Sequence, residues 1–458
     1  MKYSMPKVAL LFILFLGFSA NAQVKNWTLQ ECVEYALKNN ISIKQSELDI
    51  KLANIDKSSA VGNFLPSING QVSHSWSIGA NTNPVTNLRE NQTTQYTQVG
   101  LGSNVTLYGG LQNINRLRRA KLAQLASQYQ LTKMQDDILL YVANAYLDIL
   151  FNKENLKVQQ NQLIFDEKQL TRADELVKAG SVPRGDLLDM KATIATDNKN
   201  IAVAENALLI SRLSLAQLLQ LQDFENFDVA DVSIEPAPSP VMSETPEAIF
   251  AKAKEVRVEI KIAQANLDLA ERDIKIARGA MHPSLTFGYN FGTNASYADR
   301  ILFDQNTGQP YTASPLPVFD QFSDNKGHNF GLQLSIPILN GFSARNSVER
   351  SKVAFERTKN TFDQAKLDLE LNVYKAITDA RGALKTYEAA VITVEARQEA
   401  FNYAKEKFAV GLMNSFDFNQ SQTVYVAAQS DVIRAKYDYI FKTKVVELYF
   451  GIPIIQKQ

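Results

Sequence analysis

Three aspartates stand where carboxylate chemistry could matter. Asp186 and Asp189 lie in "KAGSVPRGDLLDMK" (178–191), and Asp417 lies in "AVGLMNSFDFNQSQ" (409–422). A glycine sits six residues before the first aspartate of each stretch, Gly180 before Asp186 and Gly411 before Asp417. Both stretches interrupt long tracts poor in helix breakers, so each reads as the turn of a helical hairpin. A glycine in the left-handed conformation ends the incoming helix; Ser181 and Leu412 follow in the turns. An aspartate at the start of the returning helix suits its free N–H groups and dipole.

Other reactive side chains point to no chemistry. His74, His282 and His328 lie in or beside strand-like stretches, without a Cys or carboxylate at metal-ligand spacing. Cys32, the single cysteine, forms no internal disulfide and reads as a buried small apolar residue. Arg116, Arg118, Arg119 and Lys121 read as a solvated helix face or a headgroup contact. There is no nucleophile–base set, Gly-rich phosphate loop or paired acid in a cleft, so the expectation is no enzyme, no cofactor and no metal. A formal net charge of zero gives no reason to expect a nucleic acid partner.

The chain opens on a basic segment with Lys2 and Lys7, an apolar run from Val8 to Phe18, and Ala20-Asn21-Ala22. That layout is a secretory signal peptide, residues 1–22. The apolar run is too short to cross a hydrocarbon core, which needs about 20 residues. No uninterrupted run of 18 apolar residues follows. A mature chain that crosses a membrane would therefore do so as a closed β-barrel.

The chain repeats itself. At a shift of 231, Gly100, Gly110, Asn115, Arg119, Asp137, Gly180 and Asp186 fall on Gly331, Gly341, Asn346, Arg350, Asp368, Gly411 and Asp417. Upstream the shift is 217, pairing Thr28, Ala36, Gly62 and Pro66 with Thr245, Ala253, Gly279 and Pro283. The change leaves 14 extra residues between Pro283 and Gly331. Residues 23–233 form the first repeat and 249–458 the second, joined by the Pro-rich linker 234–248.

Each repeat reads as helix, two strands, long helix and shorter helix. In the first, helix 28–61 precedes strands 66–79 and 96–108, helix 111–179 and helix 187–221. In the second, helix 249–278 precedes strands 283–292 and 329–339, helix 342–410 and helix 417–450. Strand 66–79 alternates Ile68, Val72, Trp76 and Ile78 against serines, Asn69 and Gln71. The strands have about the ten residues a tilted membrane-spanning strand requires. Each long helix would reach about 100 Å, so the helices must pack lengthwise.

Four strands leave open edges, which lipid does not tolerate. Two copies would close a filled eight-stranded barrel; three would close twelve strands around a lumen, which the polar strand faces favour. With "LYGG" (107–110), "PILNGF" (337–342) and the two hairpin tips, the ordered set resembles the TolC-type outer membrane efflux protein family. The resemblance implies an α+β membrane protein. In it, each chain gives four strands to a homotrimeric twelve-stranded outer membrane barrel that continues into a long periplasmic α-helical barrel. It also implies an exit duct for efflux or type I secretion, with a periplasmic adaptor and an RND, ABC or MFS transporter as partners and lipid around the barrel. The second-half hairpin is the inner one in the family. Copies of Asp417 would then ring the periplasmic aperture, with Asp186 and Asp189 on the outer hairpin. Gln420 replaces a second carboxylate, and Phe408 and Met413 offer no polar lock. Gly180, Ser181, Gly411 and Leu412 fall where an adaptor would touch. The alternative is an exported coiled-coil scaffold or adhesin without channel activity.

Overall fold

The computed structural model describes residues 26–82, 87–222, 224, 227–232 and 234–453, so the expected signal peptide lies outside the described residues. Two compact units emerge. A helical unit holds the described residues up to 47, residues 130–260 and those from 365 onward; a sheet unit holds 48–129 and 261–364.

The repeat is exact in the lengths of its four helix pairs. Helix α1 (Leu29–Asn39) follows the short strand β1 (Asn26–Trp27) and matches α5 (Pro246–Val256) at 11 residues. Helices α2 (Ile41–Gly62) and α6 (Val258–Gly279) each have 22 residues. Helices α3 (Gln112–Lys178) and α8 (Ser343–Ala409) each have 67. The returning helices α4 (Arg184–Leu219) and α9 (Ser415–Phe450) each have 36.

The sequence reading of unbroken helices over 28–61 and 249–278 is corrected. Each is interrupted once, at Asn40 and at Arg257, where the backbone turns extended. Both residues are buried and polar. Asn40 donates Nδ2 to the Leu218 carbonyl at 3.0 Å and accepts from Ser42 N–H at 2.9 Å. Arg257 binds both oxygens of Glu259, at 2.7 and 3.1 Å, and reaches Asp136 at 3.4 Å. Tertiary partners thus satisfy a break that local propensity does not demand. The linker expected over 234–248 is also partly ordered, with a 3₁₀ turn at Pro240–Ser243 and α5 capped by Thr245.

In the helical unit, Cys32, Ala36, Val142, Tyr146, Ile149, Leu215 and Leu219 form a buried core. The parallel pair β1 and β4 (Asp228–Val229) lies at its margin. Lys153 pins β4 there, donating to the Val229 carbonyl at 2.7 Å and pairing with Asp228 at 2.9 Å. Burial pushes the Tyr146 phenol up to about 12, consistent with a hydroxyl that donates to the Ala230 carbonyl. Helix α4 contains an 18-residue window with mean hydropathy 1.3, apolar enough by composition to cross a membrane. Of its apolar residues Leu208, Leu215 and Leu219 pack into this core, while Val203, Leu209 and Ile210 are exposed.

The sheet unit carries one antiparallel sheet in the order β2 (Ser67–Thr82), β3 (Arg89–Gly109), β5 (Ser284–Ser296), β8 (Gly327–Ser335). Strands β2, β3 and β5 outrun the expected bounds because cross-strand pairing continues into the polar loop segments. Its register puts the apolar residues on one face: Val72 opposite Val99, Leu101 opposite Phe291, Phe287 opposite Leu332 and Tyr289 opposite Phe330. These side chains stay outward, with Ile78 83% and Phe330 73% exposed. The opposite face carries Gln71, Ser73, Asn104, Asn290 and Asn329. Histidines 74 and 328 bond to Thr97 Oγ1 at 2.7 Å and to the Tyr289 hydroxyl at 2.9 Å.

The extra residues between β5 and β8 fold as a hairpin of β6 (Arg300–Phe303) and β7 (Pro310–Ala313), then helix α7 (Val318–Asp324). Gln321 anchors α7 by accepting from Ser296 N–H at 2.9 Å and donating to its carbonyl at 3.0 Å. Where strands meet the long helices, Gly110-Leu111 and Gly341-Phe342 all adopt positive φ, from 59° to 63°. At Gly110 a side chain is impossible, since a Cβ would lie 2.1 Å from the Gly279 carbonyl oxygen.

Candidate functional site

The two hairpin turns lie within the helical unit and share one backbone device. Gly180 has φ 73° and Gly411 φ 75°. Around the first, Ser181 N–H donates to Leu176 O at 2.9 Å and Gly180 N–H to Val177 O at 3.0 Å. Around the second, Leu412 N–H donates to Lys407 O at 2.9 Å and Gly411 N–H to Phe408 O at 3.2 Å. This is the Schellman closure, and glycine takes the left-handed position without a Cβ penalty. Arg172 adds a cation at the end of α8, donating to the Ala409 carbonyl at 3.3 Å.

The aspartates differ in what they do. Helix α9 begins at Ser415, two residues earlier than the sequence reading, and Asn414 is its cap. Asn414 Oδ1 accepts from Asp417 N–H at 2.8 Å, while Asn414 Nδ2 donates to Asp417 Oδ2 at 2.9 Å. Asn414 is therefore the cap, and Asp417, at the third helical position, holds the cap's side-chain amide in place. Helix α4 starts at Arg184 behind Pro183, which offers no side-chain cap. Asp186 is half-buried and accepts from the Ser415 hydroxyl at 3.3 Å, which ties the first hairpin to the second. Asp189 and Gln420 are exposed, and their side chains make no hydrogen bond or ion pair among the described residues.

What holds the hairpins together is aromatic, and sequence reasoning missed it. Phe418 is 0% exposed. It stacks on Phe408 with centroids 4.5 Å apart and meets Phe401 at 5.8 Å and Phe165 at 6.4 Å. Tyr425 extends the stack against Phe401 at 5.4 Å. Rings from α3, α8 and α9 thus form one cluster. The available signal was the seven-residue spacing of Phe401 and Phe408, two helical turns on one face. Beside the cluster, on the tip side, a cavity of about 410 Å³ opens between the turns, bordered by Leu176, Met190, Phe408 and Met413. Among the described residues no group of three or more His, Cys, Asp or Glu side chains forms a metal cluster.

A duplicated helix–strand–strand–helix chain, a sheet with an outward apolar face and paired hairpin tips define an outer membrane export channel. The description "Outer membrane efflux protein" matches residues 32–220 and 250–449, and the chain belongs to that family. It is 25% identical over 350 residues to the outer membrane protein TolC of Vibrio cholerae, covering 74% of this chain and 72% of that one. It is 24% identical over 355 residues to the cation efflux system protein CusC of Escherichia coli K12, covering 76% and 69%. In fold it is similar to the crystal structure of VceC from Vibrio cholerae, with TM-score 0.76, 14% identity and coverage of 93% and 97%. It is also similar to the open state of the Neisseria gonorrhoeae MtrE channel, with TM-score 0.70, 18% identity and coverage of 94% and 91%. The protein is an outer membrane efflux channel.

Proposed function

We propose that three copies of the chain close one twelve-stranded barrel in the outer membrane, with the long helices walling a periplasmic tunnel. The observation that carries this reading is the four-stranded sheet, with one face of exposed apolar side chains and the other of serines and amides. A lipid-facing exterior and a wet lumen need those two faces, and closure needs β2 and β8 at the ends of the sheet order to pair between copies. The conduit is passive and non-catalytic, and energy comes from the inner-membrane transporter.

At the far end, Asp417 and Gln420 of the inner hairpin border the aperture, with Asp186 and Asp189 on the outer hairpin. Asp417 serves both to hold the Asn414 cap and as a member of a three-copy ring; its exposure at the tip supports the second role. Leu412 and Phe416, 76% and 74% exposed, give the inner tip an apolar rim. With Gly180, Ser181 and Gly411 that rim forms the surface an adaptor's hairpins grip. The periplasmic end opens when the adaptor and the transporter engage the tips.

The purified protein in a planar bilayer should conduct ions in discrete steps, and Asp417→Asn should reduce cation preference. A silent bilayer from correctly folded protein would count against the conduit.

A further inference from the structure

A second constellation in the helical unit plays no part in the turns. Two buried aspartates belong to it, Asp166 on α3 and Asp197 on α4. Asp166 is 0% exposed, Asp197 7% and Gln422 2%. Gln162 and Gln422 each donate Nε2 to Asp166, at 2.5 and 2.6 Å, and Gln422 comes from α9 of the other hairpin. They border a cavity of about 300 Å³ that no Lys, Arg or His lines.

The oxygens around this cavity are short of donors. Asp197 Oδ2, Gln422 Oε1 and Asn419 Oδ1 are buried without a hydrogen-bond partner. Thr193, Thr196 and Thr423 also line it, and each spends its hydroxyl hydrogen on a backbone carbonyl of its own helix. They present only lone pairs inward. A buried unpaired acceptor costs about 1–3 kcal/mol, and three in one place call for a shared positive partner.

We propose that this cavity binds one hard divalent cation of calcium's class per chain, held by the Asp166 and Asp197 carboxylates with amide and hydroxyl oxygens of α4 and α9. Two carboxylates balance its charge, and the remaining ligands are neutral oxygens, the donors calcium accepts in irregular sets; magnesium gives up its waters reluctantly. Softer metals find no Cys, His or Met here. Such an ion would staple α3 and α4 to α9 and so join the two hairpins above their tips. The site stands apart from the conduit reading, and its failure would leave that reading intact.

The test uses full-length protein in mild detergent, stripped with EDTA and dialysed against ⁴⁵Ca²⁺ alone. Wild type should bind one more ion per chain than the Asp166→Asn/Asp197→Asn variant. Calcium should raise the wild-type melting temperature by several degrees and leave the variant's unchanged. Equal calcium binding by both proteins would overturn the proposal. So would a wild-type melting temperature indifferent to calcium and EDTA, a result that needs no variant to fold.

Discussion

Phe418 touches three other rings on two other helices. Phe418→Ala should therefore destabilise the helical unit by about 3–5 kcal/mol, the usual range for a fully buried phenylalanine. The readout is a lower urea midpoint together with faster hydrogen exchange across residues 401–425. Gly411→Ala makes a contrasting case. A Cβ there meets nothing within 4 Å, so the cost is the backbone strain of φ 75°, about 1 kcal/mol. Asn should substitute better than Ala, since it tolerates the left-handed region. The turn glycines were legible because a left-handed helix end is local chemistry. The Asn414 cap was obscured by the neighbouring aspartate, which suits a helix start equally well. Of the aromatic cluster only the Phe401 and Phe408 spacing was legible, because its partners come from three helices whose relative register no local pattern encodes.

Among the elements, the interruption at Arg257 has a consequence for pH. Burial acts to raise Glu259, but the Arg257 hydrogen bond and charge outweigh it and leave the carboxyl below its ordinary value of 4.5. A carboxyl depressed in the folded state contributes stability above its unfolded pKa and loses it as pH falls through the folded value. Acid melting below about pH 4.5 should therefore carry a Glu259 contribution. Asp136 opposes it, since burial raises that carboxyl despite Arg257. Melting temperatures followed from pH 7 to pH 3 should show Glu259→Gln less stable at neutrality and flatter in acid; an unchanged acid limb would show the pair to be inert. The helices were readable from long tracts poor in helix breakers, and the strands from a period of 2. The interruptions at Asn40 and Arg257 were not, because both residue types occur in helices and part of what satisfies them, the Leu218 carbonyl and Asp136, is distant in sequence. The β6–β7 hairpin and seven-residue α7 are too short for periodicity to register.

For the whole molecule, the duplication was legible down to the shift of 231 because each half must make the same turns; even the left-handed ends at Gln220 and Gly451 obey it. The sheet's two chemical faces were legible too, and their register gives a further prediction. Phe330→Lys on the apolar face should destabilise the barrel by about 2–4 kcal/mol near the bilayer midplane. Asn329→Lys, one residue away on the polar face, should be tolerated, as unfolding in detergent would show. How many copies close the sheet depends on pairing between β2 and β8, which no single chain contains. Native mass spectrometry of the purified protein in mild detergent tests that closure most directly. Particles of three chains are expected, and particles of one or two would contradict the twelve-stranded conduit.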